Sequence, residues 1–444
     1  MINTFSKIIY SSIVKNIVFL LLTLSFFFSR SFVGIYIFGF RIGEYLMALA
    51  FVTYVFTVLT DFELNPLRKI SSIFKNLFIL LFIFFIISLF FSNSNLLNPY
   101  TFKTSTYIWS FSFLFFGLNS KKINLSLNQV KLLQIFIIII YLSSVFGYPD
   151  LIIELILQIS DKYELHKGSD LALFYIIFTI LINSTFKYNL LSLQAFVFNS
   201  SLYLPLLLFK SRSAFIGCFI IFLHELFKFF VTKKLKVSKA QFTILILVGL
   251  TFISISTYLT QNRDIPEEIN VELISNSYSE LAEYRLKHYQ QEYPILYFQD
   301  GRIYSGDGNL NWRLIMWQDA IEDNINDGKL LIGLGYKNKF NVFLEDNTGF
   351  GNDRRGLDQL NEQVHNYFVT IFLRGGLIQL SVILFLYYLI LKFNQNTHEK
   401  NSMVIFILST LFISFFDSSM ENSHFPLIFY YFLGNFYLTD KMAK

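Results

Sequence analysis

The sequence predicts an all-α polytopic membrane protein, with about twelve transmembrane helices and one large, mainly helical loop outside the cytoplasm. The first observation is composition: 54% of the 444 residues are hydrophobic and only 15% are charged, whereas globular domains carry about 25% charged residues. The second is a series of apolar runs, each near the roughly 20 residues that a helix needs to cross a bilayer. We expect helices because backbone groups in lipid must be satisfied within the chain.

The apolar runs follow one another closely, except that a polar loop separates the ninth from the tenth. Gly34, Gly39 and Gly43 predict a break between the first two runs, and the fourth and eleventh runs are short. The twelve predicted spans cover approximately residues 10–29, 42–60, 73–92, 104–119, 130–147, 169–187, 189–209, 213–231, 241–259, 366–392, 402–416 and 423–439.

Lysine and arginine in the short loops predict the orientation, because cytoplasmic loops carry an excess of both. Both chain termini are then cytoplasmic, and the polar loop lies outside, which suits its excess of acidic residues. The basic positions that set this orientation are Arg68, Lys69, Lys121, Lys122, Lys187, Lys228, Lys233, Lys234, Lys236, Lys239, Lys392, Lys400, Lys441 and Lys444.

Three parts follow from this topology: spans 1–9 in residues 1–260, a loop domain in residues 261–365, and spans 10–12 in residues 366–444. Inside the loop, residues 264–305 are expected to be irregular. An amphipathic helix is predicted over residues 311–325, where Trp312, Met316 and Ala320 are spaced for one apolar face. A glycine turn at residues 332–336 and a Gly/Asn/Asp-rich stretch at residues 346–358 complete the loop.

Several function classes lack their sequence signals. Cys218 is the single cysteine and lies in an apolar run, which excludes a disulfide framework and a thiolate metal site. No histidine pair has zinc-ligand spacing, and no phosphate-binding loop of the ATP-driven type is present. No Asp-x-Asp motif for a metal-bound nucleotide sugar appears on the outer side. The sequence therefore predicts no metal and no cofactor. No nucleic-acid partner is predicted either, because the placement of the net charge of +5 is explained by the membrane orientation.

His365 is the strongest catalytic candidate, because it lies where the polar loop meets the tenth span. Histidine is the side chain whose ordinary pKa allows proton transfer near neutral pH. A purely structural interfacial histidine is the alternative.

Arg212 and Arg313 are candidate anion-binding residues, since a guanidinium group matches phosphate geometry. For Arg212 the alternative is an arginine that anchors a helix end at the lipid headgroups. Arg313 lies between Trp312 and Trp317, and the alternative there is that this helix lies at the membrane interface with the two tryptophans as its anchors. Arg313 and Trp317 share one helix face at i,i+4, so the arginine can lie over the indole ring.

Further candidates lie beside these residues or on the same side of the membrane. Arg374, nine residues after His365, would face the opposite side of a straight helix and is not placed in the site. Secondary candidates for substrate binding are Arg30, Lys210, Trp317, Asn366, Asp417 and Glu421.

The pattern resembles the O-antigen ligase and polymerase family of bacterial envelope glycosyltransferases. The topology of many spans with one late outer loop is similar over nearly the whole chain. The shared sequence pieces are Ser211-Arg212-Ser213-Ala214, Arg313 with Trp317 and the following Ile332-Gly333-Leu334-Gly335, His365-Asn366-Tyr367 with Gly375-Gly376-Leu377, and the last outer turn with Asp417 and Glu421.

The resemblance implies a metal-independent glycosyltransferase in the bacterial inner membrane. Its donor would be a glycan on undecaprenyl pyrophosphate at the periplasmic face, and its acceptor a hydroxyl of lipid A-core or a similar molecule. Arg212 and Arg313 would take the positions that bind the pyrophosphate, and His365 the position that activates the acceptor hydroxyl.

Two alternatives remain open at this point. A polymerase that joins lipid-linked repeat units shares the same motifs as a ligase. A transporter of lipid-linked sugars is expected to show interrupted helices and charged residues near mid-membrane, whereas the strong groups in this sequence collect at the outer boundary.

Overall fold

The computed structural model describes residues 12–60, 72–95, 98–119, 125–160, 166–231, 238–261, 294, 296–343, 364–393 and 400–437. Among these residues, six helices are long and apolar enough to cross a membrane, and five shorter apolar helical segments accompany them. These helices confirm an all-α multi-pass membrane protein, whereas the number of twelve spans stays a prediction. The six are Leu127–Phe146, Gly168–Phe186, Leu190–Lys210, Arg212–Val231, Lys239–Gln261 and Tyr367–Lys392.

The first half of the chain contains α1 (Ser12–Val33), β1 (Tyr36–Ile37), β2 (Phe40–Arg41), α2 (Ile42–Thr60), α3 (Ser72–Phe91), α4 (Pro99–Thr104), α5 (Thr106–Trp109), α6 (Ser112–Asn119), α7 (Leu127–Phe146), α8 (Asp150–Ile159), α9 (Gly168–Phe186), α10 (Leu190–Lys210) and α11 (Arg212–Val231). The second half contains α12 (Lys239–Gln261), β3 (Tyr297–Gln299), β4 (Arg302–Tyr304), α13 (Gly308–Asn326), α14 (Tyr367–Phe393), α15 (Lys400–Phe415) and α16 (His424–Tyr437), with short 3-10 turns at Asn341–Phe343 and Ser419–Glu421.

The chain forms two compact units. Unit 1 contains Met1–Lys75, Trp109–Arg263 and Tyr387–Lys444, and unit 2 contains Asn76–Ile108 and Asp264–Leu386.

Unit 1 is a helix bundle in which glycines allow close backbone approach. A Cβ atom added at Gly117 of α6 would lie 2.0 Å from the Tyr431 carbonyl oxygen of α16. One added at Gly434 of α16 would lie 2.3 Å from the Leu114 carbonyl oxygen of α6. Within lipid, no hydrophobic effect drives helices together. Small residues stabilise such a contact because they let the two backbones approach closely and gain dispersion energy.

Phe26 of α1 joins three helices of this bundle. Its ring centroid lies 4.6 Å from that of Phe174 on α9 and 6.0 Å from that of Phe432 on α16. The contacts fix the second half of α1 against α9 and α16.

Unit 2 has an aromatic and polar core around Tyr336. Its ring packs edge-on against Phe85 of α3, with ring centroids 5.0 Å apart. The hydroxyls of Tyr336 and Tyr107 both donate to Gln379 Oε1, over 2.8 and 2.6 Å. These bonds connect the glycine turn to α5 and α14.

The fourth predicted span, residues 104–119, is divided into α4, α5 and α6. Hydroxyl side chains explain the interruptions, because they bond to nearby carbonyls in place of the helical pattern. Ser105 Oγ donates to Thr101 O over 2.9 Å, and Thr106 Oγ1 donates to Lys103 O over 2.6 Å.

The predicted irregular stretch 264–305 was wrong for its last residues, since β3 and β4 form an antiparallel hairpin with Gln299 opposite Arg302. Its turn is Asp300-Gly301, with φ of 49° and 80°. An Asp-Gly pair between alternating residues is a strong hairpin signal that the sequence reading overlooked.

Two further predictions are confirmed within the described residues. A hairpin, β1–β2, forms the break expected near Gly34–Gly43, and α13 covers the predicted amphipathic helix with Met316 and Ala320 buried. The rest of the irregular stretch up to residue 293, the Gly/Asn/Asp-rich residues 346–358, and Arg68, Lys69, Lys121, Lys122, Lys233, Lys234, Lys236, Lys441 and Lys444 lie outside the described residues.

Candidate functional site

His365 lies two residues before the start of α14, in a backbone conformation that residues other than glycine rarely adopt. Its φ is 53°, in the left-handed region. The next residue, Asn366, is fully buried and caps the helix: its Oδ1 accepts hydrogen bonds from the backbone N–H of Phe368 at 3.0 Å and of Val369 at 3.1 Å. An N-cap side chain of this kind fixes where a helix begins, so the position of His365 is fixed relative to α14.

Two indole groups of α13 contact the segment that carries His365. The Trp312 ring centroid lies 5.4 Å from that of the His365 imidazole, with the planes at 60°. The Trp317 indole N–H donates to the carbonyl oxygen of Val364 over 2.5 Å. These contacts set both the backbone and the ring of the histidine against α13.

Arg313 follows Trp312 on α13, and its side chain is half-buried. The structure therefore brings the predicted base and the helix of a predicted anion-binding arginine together within unit 2. Trp317 is 6% exposed, and its indole N–H is already hydrogen-bonded to the Val364 carbonyl. Its contact positions His365, and a role of Trp317 in substrate binding stays a prediction.

The β3–β4 hairpin anchors α13. The Arg302 guanidinium forms an ion pair with Asp319 and lies 3.3 Å from Glu322, both on α13. Gln318 bonds to Ile303 twice, through its Oε1 and its Nε2, each over 2.8 Å. The hydrogen bond to Asp319 raises the pKa of Arg302, so the guanidinium stays charged. The helix that contacts His365 thus has its own fixed support.

α14 is broken at Gly376, where φ is 67° and ψ is −172°. A break frees carbonyls before it and N–H groups after it, which need partners elsewhere. The glycine turn supplies them: the N–H groups of Leu334 and Gly335 donate to the carbonyls of Leu373 and Arg374 over 2.8 and 3.0 Å.

The two residues just before the turn accept hydrogen bonds from the other side of the break. The N–H groups of Leu377 and Ile378 donate to the carbonyls of Leu330 and Leu331 over 3.0 and 3.2 Å. The four bonds seat the glycine turn in the broken helix, and we call this arrangement of residues 330–335 and 373–378 the glycine lock.

Arg374 holds the glycine lock from inside. It is 1% exposed and donates to the carbonyls of Gly335 and Asn338, over 3.1 and 2.5 Å, and to the Tyr100 hydroxyl over 2.9 Å. Its guanidinium lies 3.9 Å from the Phe340 ring centroid. These partners give Arg374 a structural role.

A cavity of about 230 Å³ lies beside the glycine lock, within unit 2. Apolar side chains of α3 line one wall, and Ser88, Ser92 and Gln379 supply polar groups. Lys329 lines the same cavity.

In unit 1, Arg212 is the exposed first residue of α11, directly after the junction with α10. Ser211 at this junction packs on Gly168, where an added Cβ would lie 2.5 Å from the Ser211 Cβ. Lys210 Nζ donates to the His166 carbonyl over 2.9 Å. Both contacts fix the start of α11 to the segment before α9.

His166 connects that segment to α1 and α7. Its Nδ1 lies 2.9 Å from Ser144 Oγ, and its Nε2 lies 3.1 Å from the Phe26 carbonyl. The carbonyl is available because α1 is kinked at Ser29, where φ is 45°. Burial lowers the pKa of His166 to about 4, so the imidazole is neutral at pH 7. Arg30 follows the kink and is half-buried.

His424 and Asp170 form a buried pair that the sequence did not indicate. Their Nε2 and Oδ1 atoms are 2.8 Å apart, and the side chains are 2% and 3% exposed. The pair joins the first turns of α16 and α9, which are 254 positions apart along the chain. No local spacing could have predicted it.

Asp417 and Glu421 lie in the turn between α15 and α16, and both are half-buried. Asp417 Oδ1 accepts from the backbone N–H of Ser418 over 2.8 Å. The Glu421 N–H donates to the Ser418 carbonyl over 3.2 Å. Their predicted role toward sugar hydroxyls stays a prediction.

A second group missed by the sequence reading surrounds Glu225 in α11. Its carboxylate is buried and accepts from Asn183 Nδ2 over 2.7 Å and from Ser402 Oγ over 2.5 Å. Lys228 donates to the Ser402 hydroxyl as well, and His224 Nε2 lies 3.8 Å from Glu225. The sequence did contain a signal for this group, because His224, Glu225 and Lys228 are three ionisable residues within five positions of one apolar run.

No cluster of three or more His, Cys, Asp or Glu side chains that could hold a metal ion occurs in the part of the chain that the structure describes. No protein-family model matches the chain, and no curated protein is similar to it in sequence. A functional assignment therefore depends on the chemistry of these side chains and on the motif resemblance.

Proposed function

We propose that the protein is a metal-independent glycosyltransferase of the O-antigen ligase type, which acts at the periplasmic face of the bacterial inner membrane. It would move a glycan from undecaprenyl pyrophosphate to an acceptor hydroxyl of lipid A-core or a similar molecule. The observation that supports this best is the placement of His365 against α13, the helix of Arg313, by the two indoles.

The proposed reaction needs one proton acceptor and fixed positive charge. The acceptor oxygen bonds to the anomeric carbon while the bond from that carbon to the pyrophosphate oxygen breaks. His365 takes the hydroxyl proton, and undecaprenyl pyrophosphate leaves with the electron pair. A lipid pyrophosphate is a competent leaving group, so charge stabilisation by guanidinium groups can take the place of a metal.

Arg313 is assigned to the pyrophosphate on its position in α13 beside Trp312. The motif resemblance alone gives Arg212, which lies in unit 1, a role in binding pyrophosphate. Arg30 and Lys210 are secondary candidates, and both lie in unit 1 with half-buried side chains. Asn366 acts as a positioning residue in this proposal, because its side chain caps α14 beside His365.

The test is transfer in liposomes that contain purified protein, a defined lipid-pyrophosphate glycan and candidate acceptors, with products read by mass spectrometry. We expect His365→Ala to lower the rate about a hundredfold or more, and Arg313→Ala to lower it by about a hundredfold, near 3 kcal/mol. Lys337→Ala is the control, since Lys337 is an exposed cation of the same unit and belongs to no proposed substrate group. Near-normal transfer by both site variants would refute the assignment.

The products also separate ligase from polymerase. Addition of the glycan to lipid A-core identifies a ligase. Longer glycans on undecaprenyl pyrophosphate, with no addition to lipid A-core, identify a polymerase.

Transport of a lipid-linked sugar is a second candidate, and three observations favour it. α1 and α14 are both interrupted, at Ser29 and Gly376, and Glu225 is buried within an apolar helix. Interrupted helices and buried charges are common in transporters. In the same liposomes, movement of the donor between leaflets without a new glycosidic bond would favour this candidate over the transferase.

A further inference from the structure

α8 is too short to cross a membrane and begins and ends at one side of it. Its 10 residues span about 15 Å, half of the roughly 30 Å hydrocarbon layer. It lies between α7 and α9, whose neighbouring ends are joined by the contact of Ser144 with His166. The chain therefore leaves one span, forms α8, and enters the next span from the same surface.

The residues of α8 divide into a polar stripe and a wide apolar face. Asp150, Glu154 and Gln158 recur every fourth position and lie along one side of the helix. The other positions are all Leu or Ile. This pattern is typical of helices that lie in the plane of a membrane surface.

The protein itself covers little of that apolar face. Ile156 is the buried residue of α8, whereas Leu151 is 78% exposed and Leu155 is 56% exposed. On an ordinary water-facing helix these positions would be polar. Phe146, the last residue of α7 and four positions before α8, is also 66% exposed. Because α8 lies between two helices that can cross a membrane, lipid is the expected covering material.

The β1–β2 hairpin adds a second apolar projection next to α8. Phe38 at its tip is 95% exposed. A β-bridge between Ile35 and Ser160 joins the hairpin to the end of α8. Phenylalanine is among the apolar side chains that interfacial elements bury at the headgroup–acyl boundary, so this tip suits the same depth.

We propose that α8 and the β1–β2 hairpin form an interfacial anchor, which inserts its apolar side chains at the headgroup–acyl boundary of the leaflet where α1 ends and α9 begins. The anchor is bonded to the kinked end of α1: Tyr148 donates to the Phe27 carbonyl over 2.5 Å, and Ser160 to the Ser31 carbonyl over 2.8 Å. These bonds lie on either side of Arg30, so they join the anchor to the segment that carries Arg30. The anchor does not depend on the proposed transferase activity.

Site-directed spin labelling tests the anchor in the full chain in liposomes. Cys218 is the single cysteine of the chain. A Cys218→Ser background therefore allows one new cysteine at a time to be labelled, at Leu151→Cys, Leu155→Cys or Phe38→Cys. The matched controls, Glu154→Cys and Gln158→Cys, lie on the polar stripe of the same helix. Collision with oxygen reports lipid, and collision with a water-soluble nickel chelate reports water.

We expect the ratio of oxygen to nickel collisions to be several-fold higher at positions 151, 155 and 38 than at positions 154 and 158. Equal ratios on the two sides of α8 would overturn the proposal. So would shielding of position 151 from both reagents, because a second protein chain would then cover the face. Circular dichroism of each labelled protein confirms that the helices are retained.

Discussion

Arg313 and Arg374 show how differently two arginines of one loop-and-helix region can be used. Arg374 is fully buried and donates to three partners of the chain. Arg313 is half-buried on the helix that contacts His365. The sequence placed Arg374 away from His365 by helical periodicity alone, but gave no reason for its presence. The carbonyls that it binds were not recognisable before the glycine lock was seen.

His166 makes stability depend on pH in a defined direction. Burial lowers the pKa of its imidazole to about 4 from the ordinary 6.5. Below pH 6.5 the His166 imidazole binds a proton in the unfolded chain, whereas in the folded chain it stays neutral until the pH approaches 4. The stabilising effect of the neutral imidazole is therefore complete above pH 6.5 and is lost as the pH falls toward 4. The loss should be on the order of 3 kcal/mol.

Thermal unfolding in detergent between pH 7.5 and 4 checks this effect. His166→Asn should unfold at a lower temperature than the natural protein at pH 7.5, because the variant loses the imidazole contacts with the Ser144 hydroxyl and the Phe26 carbonyl. Its unfolding temperature should then fall less steeply toward pH 4. Parallel curves for the two proteins would show that His166 is not the group that titrates.

At the scale of elements, the glycine lock explains why α14 contains two consecutive glycines. In the sequence this pair appeared only as part of a motif shared with the resembling family, and no break in the tenth span was predicted from it. Gly376 has a φ that favours glycine, and an added Cβ there would lie 2.2 Å from the Leu331 carbonyl oxygen. The break is therefore stabilised by the turn that fills it.

Gly376→Ala should destabilise the protein much more than Gly328→Ala. Both residues have nearly the same φ, 67° and 68°, but a Cβ at Gly328 meets no atom within 4 Å. The positive φ costs an alanine about 1 kcal/mol or more at either position, and the clash should add about 2 kcal/mol or more at Gly376. Denaturant or thermal unfolding in detergent measures the difference. Equal losses would mean that the turn moves away without cost.

For the whole molecule, the predicted orientation decides whether the proposed chemistry meets its donor. The positive-inside rule places the polar loop outside the cytoplasm. His365 and Arg313 then lie on the side where lipid-pyrophosphate glycans are used. The described helices support a multi-pass protein, whereas the sidedness follows from lysine and arginine alone.

Cysteine accessibility in intact cells tests the orientation. In the Cys218→Ser background, a cysteine at Asp327 should react with a reagent that cannot cross the inner membrane. A cysteine at Lys239 should react only after the membrane is opened. Both positions are exposed, so access to reagent is not limited by folding. The opposite pattern would remove His365 from the periplasm and end the transferase proposal.

The sequence by itself determined the membrane class, the positions of most helices and α13 of the polar loop. These features are local, because lipid demands a long apolar run at each crossing and an amphipathic helix shows its period within a few turns. The tertiary structure alone decided which polar groups meet. The Asp170–His424 pair, the indole contacts of Val364 and His365, and the filling of the break at Gly376 all join distant segments. Such pairings depend on how distant helices pack against one another, and no repeating pattern in the local sequence encodes that packing.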